Sequence, residues 1–175
     1  KNGHPEPYKV KYWGLGNEIY GEWQLGQKSA KDYAKIAKEF AKALKWVDPE
    51  IKIIAAGGDS PEWDYEVVKV MGKDIDYISA HAYFSPLAKD YYKAMAVSKI
   101  IEERTKILRG AIDAGMNRSD SKIGIAWDEW NLLGWLHYEK EKENDNNSYY
   151  NLQNALVTAS ILNVFQKMCN LITLA

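Results

Sequence analysis

The feature that most constrains the fold of this chain is a regular alternation of short apolar runs with longer amphipathic stretches. The apolar runs have the length of buried β-strands, whereas the longer stretches repeat apolar residues at helical spacing. Strands are predicted at residues 10–15, 51–56, 75–80, 122–127 and 170–174, and helices at 29–46, 61–71, 91–114 and 149–165. This order predicts an α/β fold with a parallel sheet and right-handed crossovers, in a single domain over residues 1–175. Periodicity alone leaves open whether the sheet is doubly wound or part of a barrel.

The predicted helix boundaries depend on capping signals. Ser29 and Ser60 can each accept a hydrogen bond from the first turn of a helix, and Pro61 suits the first helical position. Gly115 is predicted to end the third helix. The polar stretch at 138–147 is predicted to be an exposed loop before the fourth helix.

Two glutamates, Glu18 and Glu129, follow just after two of the apolar runs and lie 111 residues apart. A buried strand carries apolar residues throughout, whereas an acid at its carboxyl end faces a cleft. The two carboxyl groups are therefore predicted to converge at one edge of the sheet, as the acid and the nucleophile of a retaining glycosidase do. A single glutamate at a strand end is more often a surface or salt-bridged residue, so it is the pair that favours catalysis.

The composition bears on partners, cofactors and location. The 175 residues are 46% hydrophobic and 27% charged, which is typical of a soluble globular domain, and no apolar run has the roughly 18 residues of a membrane span. A net charge of −1 gives no electrostatic reason to expect nucleic acid or an anionic membrane as partner. The single cysteine, Cys169, cannot form an intrachain disulfide, which favours a cytoplasmic over a secreted location. No Cys/His/Asp cluster has metal-ligand spacing, so neither a metal nor a cofactor is predicted.

Three segments carry a resemblance to a known family. The segment Tyr12-Trp13-Gly14-Leu15-Gly16-Asn17-Glu18 resembles the acid/base segment of glycoside hydrolase family 51, the α-L-arabinofuranosidases. Asp128-Glu129-Trp130-Asn131 is similar to the segment that ends the seventh barrel strand in that family and provides its nucleophile. Ser79-Ala80-His81-Ala82-Tyr83 resembles the sixth-strand segment that lines the sugar site. The resemblance extends over nearly the whole chain.

The resemblance implies a (β/α)8 TIM barrel, here a partial barrel that covers about strands four to eight and lacks the first three βα units. It implies Glu18 as acid/base and Glu129 as nucleophile of a retaining enzyme. The implied reaction is removal of terminal α-L-arabinofuranosyl residues from oligosaccharides derived from hemicellulose or pectin, so the expected partner is an arabinose-containing oligosaccharide. Family members are often oligomers, so a homo-oligomer is an implied state of the complete protein. Two alternatives stay open: another retaining activity of the clan, such as a β-xylosidase or endoglucanase, or a catalytically silent fragment that only binds sugar.

Polar residues near the two glutamates are candidates for substrate binding under the same resemblance. Asn17 can hydrogen-bond a sugar hydroxyl beside the reacting carbon, although a turn-forming role is its structural alternative. His81 is a candidate donor to substrate or to a residue that contacts substrate, with a buried structural histidine as the alternative. Tyr83 can donate its phenol to Glu129 and hold that carboxylate in orientation, as the matching Tyr does in the family.

The remaining candidates are aromatic or acidic. Trp23 and Trp130 are candidate aromatic walls of the cleft, with packing as the alternative for both. Where the family often has a second Trp after the nucleophile this chain has Leu133, and Trp135 is a candidate substitute. Asp128 is predicted to be structural because alternation along a strand points it away from the face of the nucleophile. The charge of the nucleophile is expected to raise the pKa of the acid/base and to keep it protonated near neutrality.

Overall fold

Five parallel strands and four helices alternate in the computed structural model, which describes residues 2–84, 90–118, 121–132 and 151–175. The strands are β1 (Tyr12–Gly14), β2 (Lys52–Ala55), β3 (Tyr77–Phe84), β4 (Gly124–Leu132) and β5 (Ile172–Leu174). The helices are α1 (Ala30–Val47), α2 (Pro61–Met71), α3 (Tyr91–Met116) and α4 (Leu152–Lys167). The strands pair in the order β1-β2-β3-β4-β5, and consecutive helices pack against each other. This sequential order differs from a doubly wound sheet, in which the strand order reverses at a switch point.

The predicted alternation of strands and helices is confirmed, but two strands extend further than the sequence predicted. β3 and β4 continue past the last pair between β2 and β3, which joins Ala55 to Ile78. They pair with each other as far as Phe84 and Leu132. This extension brings side chains beyond the predicted strand ends into the sheet. The loop predicted at 138–147 lies outside the described residues.

The capping signals hold at two helices and fail at a third. The hydroxyls of Ser29 and Ser60 accept hydrogen bonds from the first turns of α1 and α2, as predicted. Gly115 does not end α3, because the helix continues to Met116 and Asn117 takes the left-handed cap position with φ 54°. Gly115 instead lies where α3 meets α2, and a Cβ there would lie 2.9 Å from Cγ1 of Val68. Its lack of a side chain permits this close contact between helices.

The core lies between the sheet and the helices and also fixes the carboxyl edge of β2. Two aromatic residues from α1 and α2, Tyr33 and Trp63, stack with ring centroids 5.7 Å apart. The Tyr33 hydroxyl accepts from the amide of Ala56 at 2.7 Å, and the Trp63 indole donates to the carbonyl of Ala56 at 3.0 Å. Both backbone groups at the end of β2 are therefore satisfied inside the core.

The amino edge of the sheet is held by one carboxylate. Asp76 accepts from Lys45 at 3.0 Å, from Lys52 at 2.9 Å and from the amide of Ile53 at 3.0 Å. Burial raises the pKa of Asp76, but these hydrogen bonds outweigh it and lower the pKa below its usual value. In the ranges that the structure describes, no helix is both long and apolar enough to cross a membrane.

Candidate active site

Glu18 lies at the carboxyl edge of the sheet, in the turn that follows β1. Its backbone is left-handed, with φ 46°, which is uncommon for a residue other than glycine. One carboxylate oxygen, Oε1, lies 3.0 Å from Nδ1 of His81. The other, Oε2, accepts a hydrogen bond from the indole of Trp23 at 2.9 Å. Both oxygens of this half-buried carboxylate are therefore held in place.

Glu129 lies at the same edge, on β4 and directly opposite His81 of β3. Its Oε2 accepts from the hydroxyl of Tyr83 at 3.1 Å and lies 3.6 Å from His81 Nδ1. One carboxylate oxygen of Glu18 and one of Glu129 lie within 4.8 Å of each other. This separation is close to the roughly 5 Å between the two carboxyl groups of retaining glycosidases.

Asp128 faces the same cleft, so the alternation argument that pointed it to the opposite face is wrong. Ser79 pairs with Ala126 and His81 with Glu129, so β4 has one residue more than β3 between these pairs. The extra residue is a β-bulge, which resets the alternation of side chains along a strand. As a result Asp128 Oδ1 lies 3.3 Å from Nε2 of His81.

His81 therefore lies between three carboxyl groups, and its ionisation governs the electrostatics of the site. Burial alone would lower the pKa of His81, but hydrogen bonds with Asp128 and Glu18 and the charges of Glu129 and Asp128 raise it to about 9. The imidazole is consequently a cation at neutral pH, with one ring nitrogen toward Glu18 and the other toward Asp128.

Glu18 shows the opposite of the expected shift. Burial raises the pKa of Glu18, but the hydrogen bonds from His81 and Trp23 and the charge of His81 outweigh burial and lower the pKa below its usual value. The expectation that Glu18 is the protonated group near neutrality is therefore wrong. The raised pKa belongs instead to the neighbouring imidazole of His81, 3.0 Å away.

The Trp23 ring packs against Gly21 while its indole nitrogen contacts Glu18. The indole ring is two-thirds exposed and lies edge-on to Tyr20, with ring centroids 5.9 Å apart. A Cβ on Gly21 would lie 2.4 Å from the Trp23 ring, so only glycine leaves room for this position of the indole. Asn17 is exposed and directly precedes Glu18 at the same edge.

Trp130 makes the contacts of a packing residue. Its ring is half-buried against the hydrophobic core and lies edge-on to Phe165 of α4, with centroids 5.0 Å apart. The packing alternative therefore describes its environment, on the helix side of the sheet. Leu133 and Trp135 lie outside the described residues.

Glu18, His81 and Glu129 also form the one group with metal-ligand spacing in the part of the chain that the structure describes. A metal there would need the free nitrogen of a neutral imidazole. His81 Nδ1 is already hydrogen-bonded to Glu18, and Nε2 lies 3.3 Å from Asp128, so both ring nitrogens have a carboxylate partner. The arrangement is thus suited to holding a proton between two carboxylates.

Two contacts of the site had no signal in the sequence. Asp128 reaches His81 only because of the bulge in β4, which is a pairing irregularity between strands. Arg104 of α3 donates from Nη1 to the carbonyl of His81 at 3.2 Å. An arginine on the polar face of a predicted helix would ordinarily be expected to face solvent.

Comparison with known proteins gives matches over most of the chain. The family model of the alpha-L-arabinofuranosidase 1 domain matches residues 1–99. The intracellular exo-alpha-(1->5)-L-arabinofuranosidase 1 of Bacillus subtilis (strain 168) is 32% identical over 178 residues, which cover 92% of this chain and 35% of the relative. Alpha-L-arabinofuranosidase C of Emericella nidulans is 35% identical over 181 residues, which cover 94% of this chain and 36% of the relative.

Solved structures give the same result for the fold. The thermostable GH51 alpha-L-arabinofuranosidase from Thermotoga petrophila RKU-1 is 38% identical, with a TM-score of 0.84 over 99% of this chain and 34% of its own. An alpha-L-arabinofuranosidase from Thermotoga maritima, solved as an arabinose complex, is also 38% identical, with a TM-score of 0.81 over 99% of this chain. The chain thus spans about a third of the length of the relatives it matches.

Proposed function

Because the chain belongs to the α-L-arabinofuranosidases of glycoside hydrolase family 51, we propose that it carries the catalytic pair of a retaining enzyme that removes terminal α-L-arabinofuranosyl residues. The observation that carries this proposal is the separation of the two carboxylates: one oxygen of Glu18 and one of Glu129 lie within 4.8 Å of each other. In a retaining enzyme the nucleophile contacts the anomeric carbon directly, so no room for a water is needed between the two groups. We further propose that the sheet is strands four to eight of a (β/α)8 barrel, which the sequential strand order supports.

We assign Glu129 as the nucleophile. Its Oε2 accepts from Tyr83, which holds the carboxylate in one orientation, and Nδ1 of His81 lies 3.6 Å from the same oxygen. In the first step a carboxylate oxygen of Glu129 attacks the anomeric carbon and the bond to the leaving oxygen breaks. The product of this step is a glycosyl ester of Glu129.

We assign Glu18 as the acid/base, supplied with its proton by His81. The pair Glu18 and His81 holds one proton across a 3.0 Å contact, and before the reaction that proton lies on the imidazole, the group of higher pKa. Transfer from Nδ1 to Oε1 neutralises Glu18 and leaves a neutral imidazole. Glu18 then protonates the leaving oxygen. In the second step Glu18 takes a proton from the water that attacks the anomeric carbon, the bond from that carbon to Glu129 breaks, and the proton returns from Oε1 to Nδ1 of His81.

Asp128 completes the arrangement by its contact with the other nitrogen of His81, 3.3 Å away. We propose that this contact orients the ring so that Nδ1 faces Glu18 throughout the cycle. Trp23, two-thirds exposed beside the acid/base, presents an aromatic face to the sugar on the leaving side. Asn17, exposed beside Glu18, is proposed to hydrogen-bond the bound arabinofuranose.

The substrate is proposed to be an arabinose-containing oligosaccharide, and the location is proposed to be intracellular, as the name of the Bacillus relative states for that protein. The test is hydrolysis of an aryl α-L-arabinofuranoside by the full-length protein, beside the aryl β-D-xyloside as the competing substrate. We expect the arabinofuranoside to be hydrolysed faster and Glu129→Ala to abolish that activity. Preference for the xyloside would contradict the substrate assignment, and full activity of Glu129→Ala would contradict the mechanism.

A further inference from the structure

The bulge in β4 lies at the level of the two candidate catalytic carboxylates, and a buried tryptophan forms part of it. Trp127 and Asp128 together lie opposite Ala80 of β3, because Ser79 pairs with Ala126 and His81 with Glu129. The Trp127 side chain is 1% exposed and stacks on Phe165 of the helix layer, with centroids 6.2 Å apart. The next side chain, that of Asp128, therefore points to the cleft.

The indole of Trp127 is fixed by one polar contact from α3. Its Nε1 donates to Oγ1 of Thr105 at 3.0 Å, and Thr105 is fully buried. The Thr105 hydroxyl in turn donates to the carbonyl of Ile101, one turn earlier, at 2.8 Å. This second bond fixes the hydroxyl rotor, so that its lone pairs are directed to the indole.

The same turn of α3 also holds the strand opposite. Arg104, adjacent to Thr105, donates to the carbonyl of His81 on β3. Consecutive residues of one helix thus contact both sides of the bulge, the His81 side and the Trp127 side. A valine would fill the volume of Thr105 in the core, so the hydroxyl is explained by its contacts and not by packing.

We propose that Thr105 is a positioning residue for the reaction: its hydroxyl anchors the indole of Trp127, and this anchor fixes the bulge that turns Asp128 and Glu129 toward His81. The inference rests on the proposed function, since it assigns a role in that reaction. Loss of the anchor releases the bulge, and the contacts of Asp128 and Glu129 with His81 lengthen. A misplacement of about 1 Å in such a site costs on the order of 100-fold in rate.

The test compares Thr105→Val with Thr105→Ser in the full-length protein. Thr105→Val keeps the shape but removes the acceptor, and we expect kcat on the aryl arabinofuranoside to fall about 10- to 100-fold with KM nearly unchanged. The alkaline limb of the pH profile is expected to move, because it depends on the contacts of His81. Thr105→Ser keeps the hydroxyl and is expected to retain the wild-type kcat and the wild-type alkaline limb. A Thr105→Val variant that melts earlier but keeps the wild-type kcat and pH limb would overturn the proposal.

A second variant covers the case in which Thr105→Val does not fold. Trp127→Phe removes the indole donor and leaves Thr105 bonded to Ile101, so no buried polar group loses its only partner. The same fall in kcat and the same shift of the pH limb are expected, and wild-type values for both would overturn the proposal. Wild-type enzyme and Glu129→Ala are measured in the same assay. An active wild type with an inactive Glu129→Ala keeps the proposed function, whatever the Thr105 and Trp127 variants do.

Discussion

Nδ1 of His81 lies 3.0 Å from Oε1 of Glu18, and the imidazole has the higher pKa of the two groups. At neutral pH the site thus holds one proton on the imidazole, and this proton must transfer to Oε1 before Glu18 can act as the acid. A general acid works best when its proton is available near the operating pH, and this pairing keeps the proton in the site well above the usual pKa of a glutamate.

The first prediction concerns the pH dependence of the reaction. The pKa of His81 is raised to about 9, above its unfolded value near 6.5, so its favourable interaction is complete below about pH 6.5 and is lost as the pH rises through about 9. The alkaline limb of kcat/KM is therefore expected near pH 9. In His81→Phe the limb is expected to move to lower pH, because Glu18 must then hold the proton alone.

The same variant is expected to lose activity at neutral pH. A charge-assisted hydrogen bond contributes roughly 1.5 to 3 kcal/mol, which corresponds to about a 10- to 150-fold change in kcat/KM. His4→Phe is the matched control, since His4 is exposed and its ring nitrogen contacts the carbonyl of Glu6 in its own segment. A His81→Phe limb that coincides with the limb of the control would contradict the shared-proton account.

The sequence predicted the parts of this site that depend on local pattern. The βα alternation placed Glu18 and Glu129 at strand ends, and the parallel sheet brings them to one edge. The position of Asp128 could not be predicted, because alternation holds only while two strands keep register. The bulge includes Trp127, whose indole bonds Thr105, 22 residues away in sequence, and no local pattern predicts such a contact.

The predictions for Gly115 and for the pKa of Glu18 were wrong for the same kind of reason. A glycine near a helix end indicates a cap unless another helix approaches it, and the approach of α2 is a tertiary contact. The sequence indicated a like-charged neighbour for Glu18 but not that the imidazole of His81 lies nearer, with Trp23 on the other oxygen. Local chemistry therefore identified the groups, and tertiary contacts set their ionisation.

The second prediction concerns Tyr83, whose hydroxyl donates to Glu129 Oε2 at 3.1 Å. In Tyr83→Phe the proposed nucleophile loses an orienting donor, so kcat is expected to fall about 10-fold or more, with a small change in KM. Steady-state kinetics on the aryl arabinofuranoside measure the changes in kcat and KM. Tyr92→Phe, at a largely exposed position of α3, is the control and should retain wild-type kinetics. Equal kinetics for the two variants would mean that this hydrogen bond does not contribute to the reaction.

The third prediction concerns the glycine beneath Trp23. A Cβ on Gly21 would lie 2.4 Å from the indole, so Gly21→Ala is expected to displace the ring and break its 2.9 Å contact with Glu18. The pKa of Glu18 should then rise, because Glu18 loses one of the hydrogen bonds that lower it. The acidic limb of the pH profile should move in the same direction as in Trp23→Phe. The profile of Gly21→Ala is compared with that of Trp23→Phe.

Gly110 of α3 supplies the control for this substitution. A Cβ on Gly110 meets no atom within 4 Å, so Gly110→Ala should raise the free energy of unfolding by up to about 1 kcal/mol without a change in activity. If Gly21→Ala behaves like Gly110→Ala, the indole does not depend on the glycine for its position.

The fourth prediction concerns residues 1–175 expressed alone. Among the described residues, β1 pairs only with β2, and its Tyr12 and Trp13 are about two-fifths exposed, while Phe40 of α1 is 61% exposed. An open strand edge beside apolar side chains promotes association. We expect self-association or a molten state, and Phe40→Lys should reduce the association. Sedimentation velocity measures the self-association, and urea denaturation measures the cooperativity of unfolding. A monomer with cooperative unfolding would contradict this expectation.

The roles of the two glutamates are tested most directly by azide rescue of Glu18→Ala in the full-length protein, with the product configuration read by NMR. Azide needs no base, so it should attack the glycosyl ester of Glu129 and restore turnover. The account predicts an arabinofuranosyl azide with the anomeric configuration of the substrate, because two displacements have occurred. An azide product of inverted configuration from Glu18→Ala would contradict it and would identify Glu18 as the nucleophile.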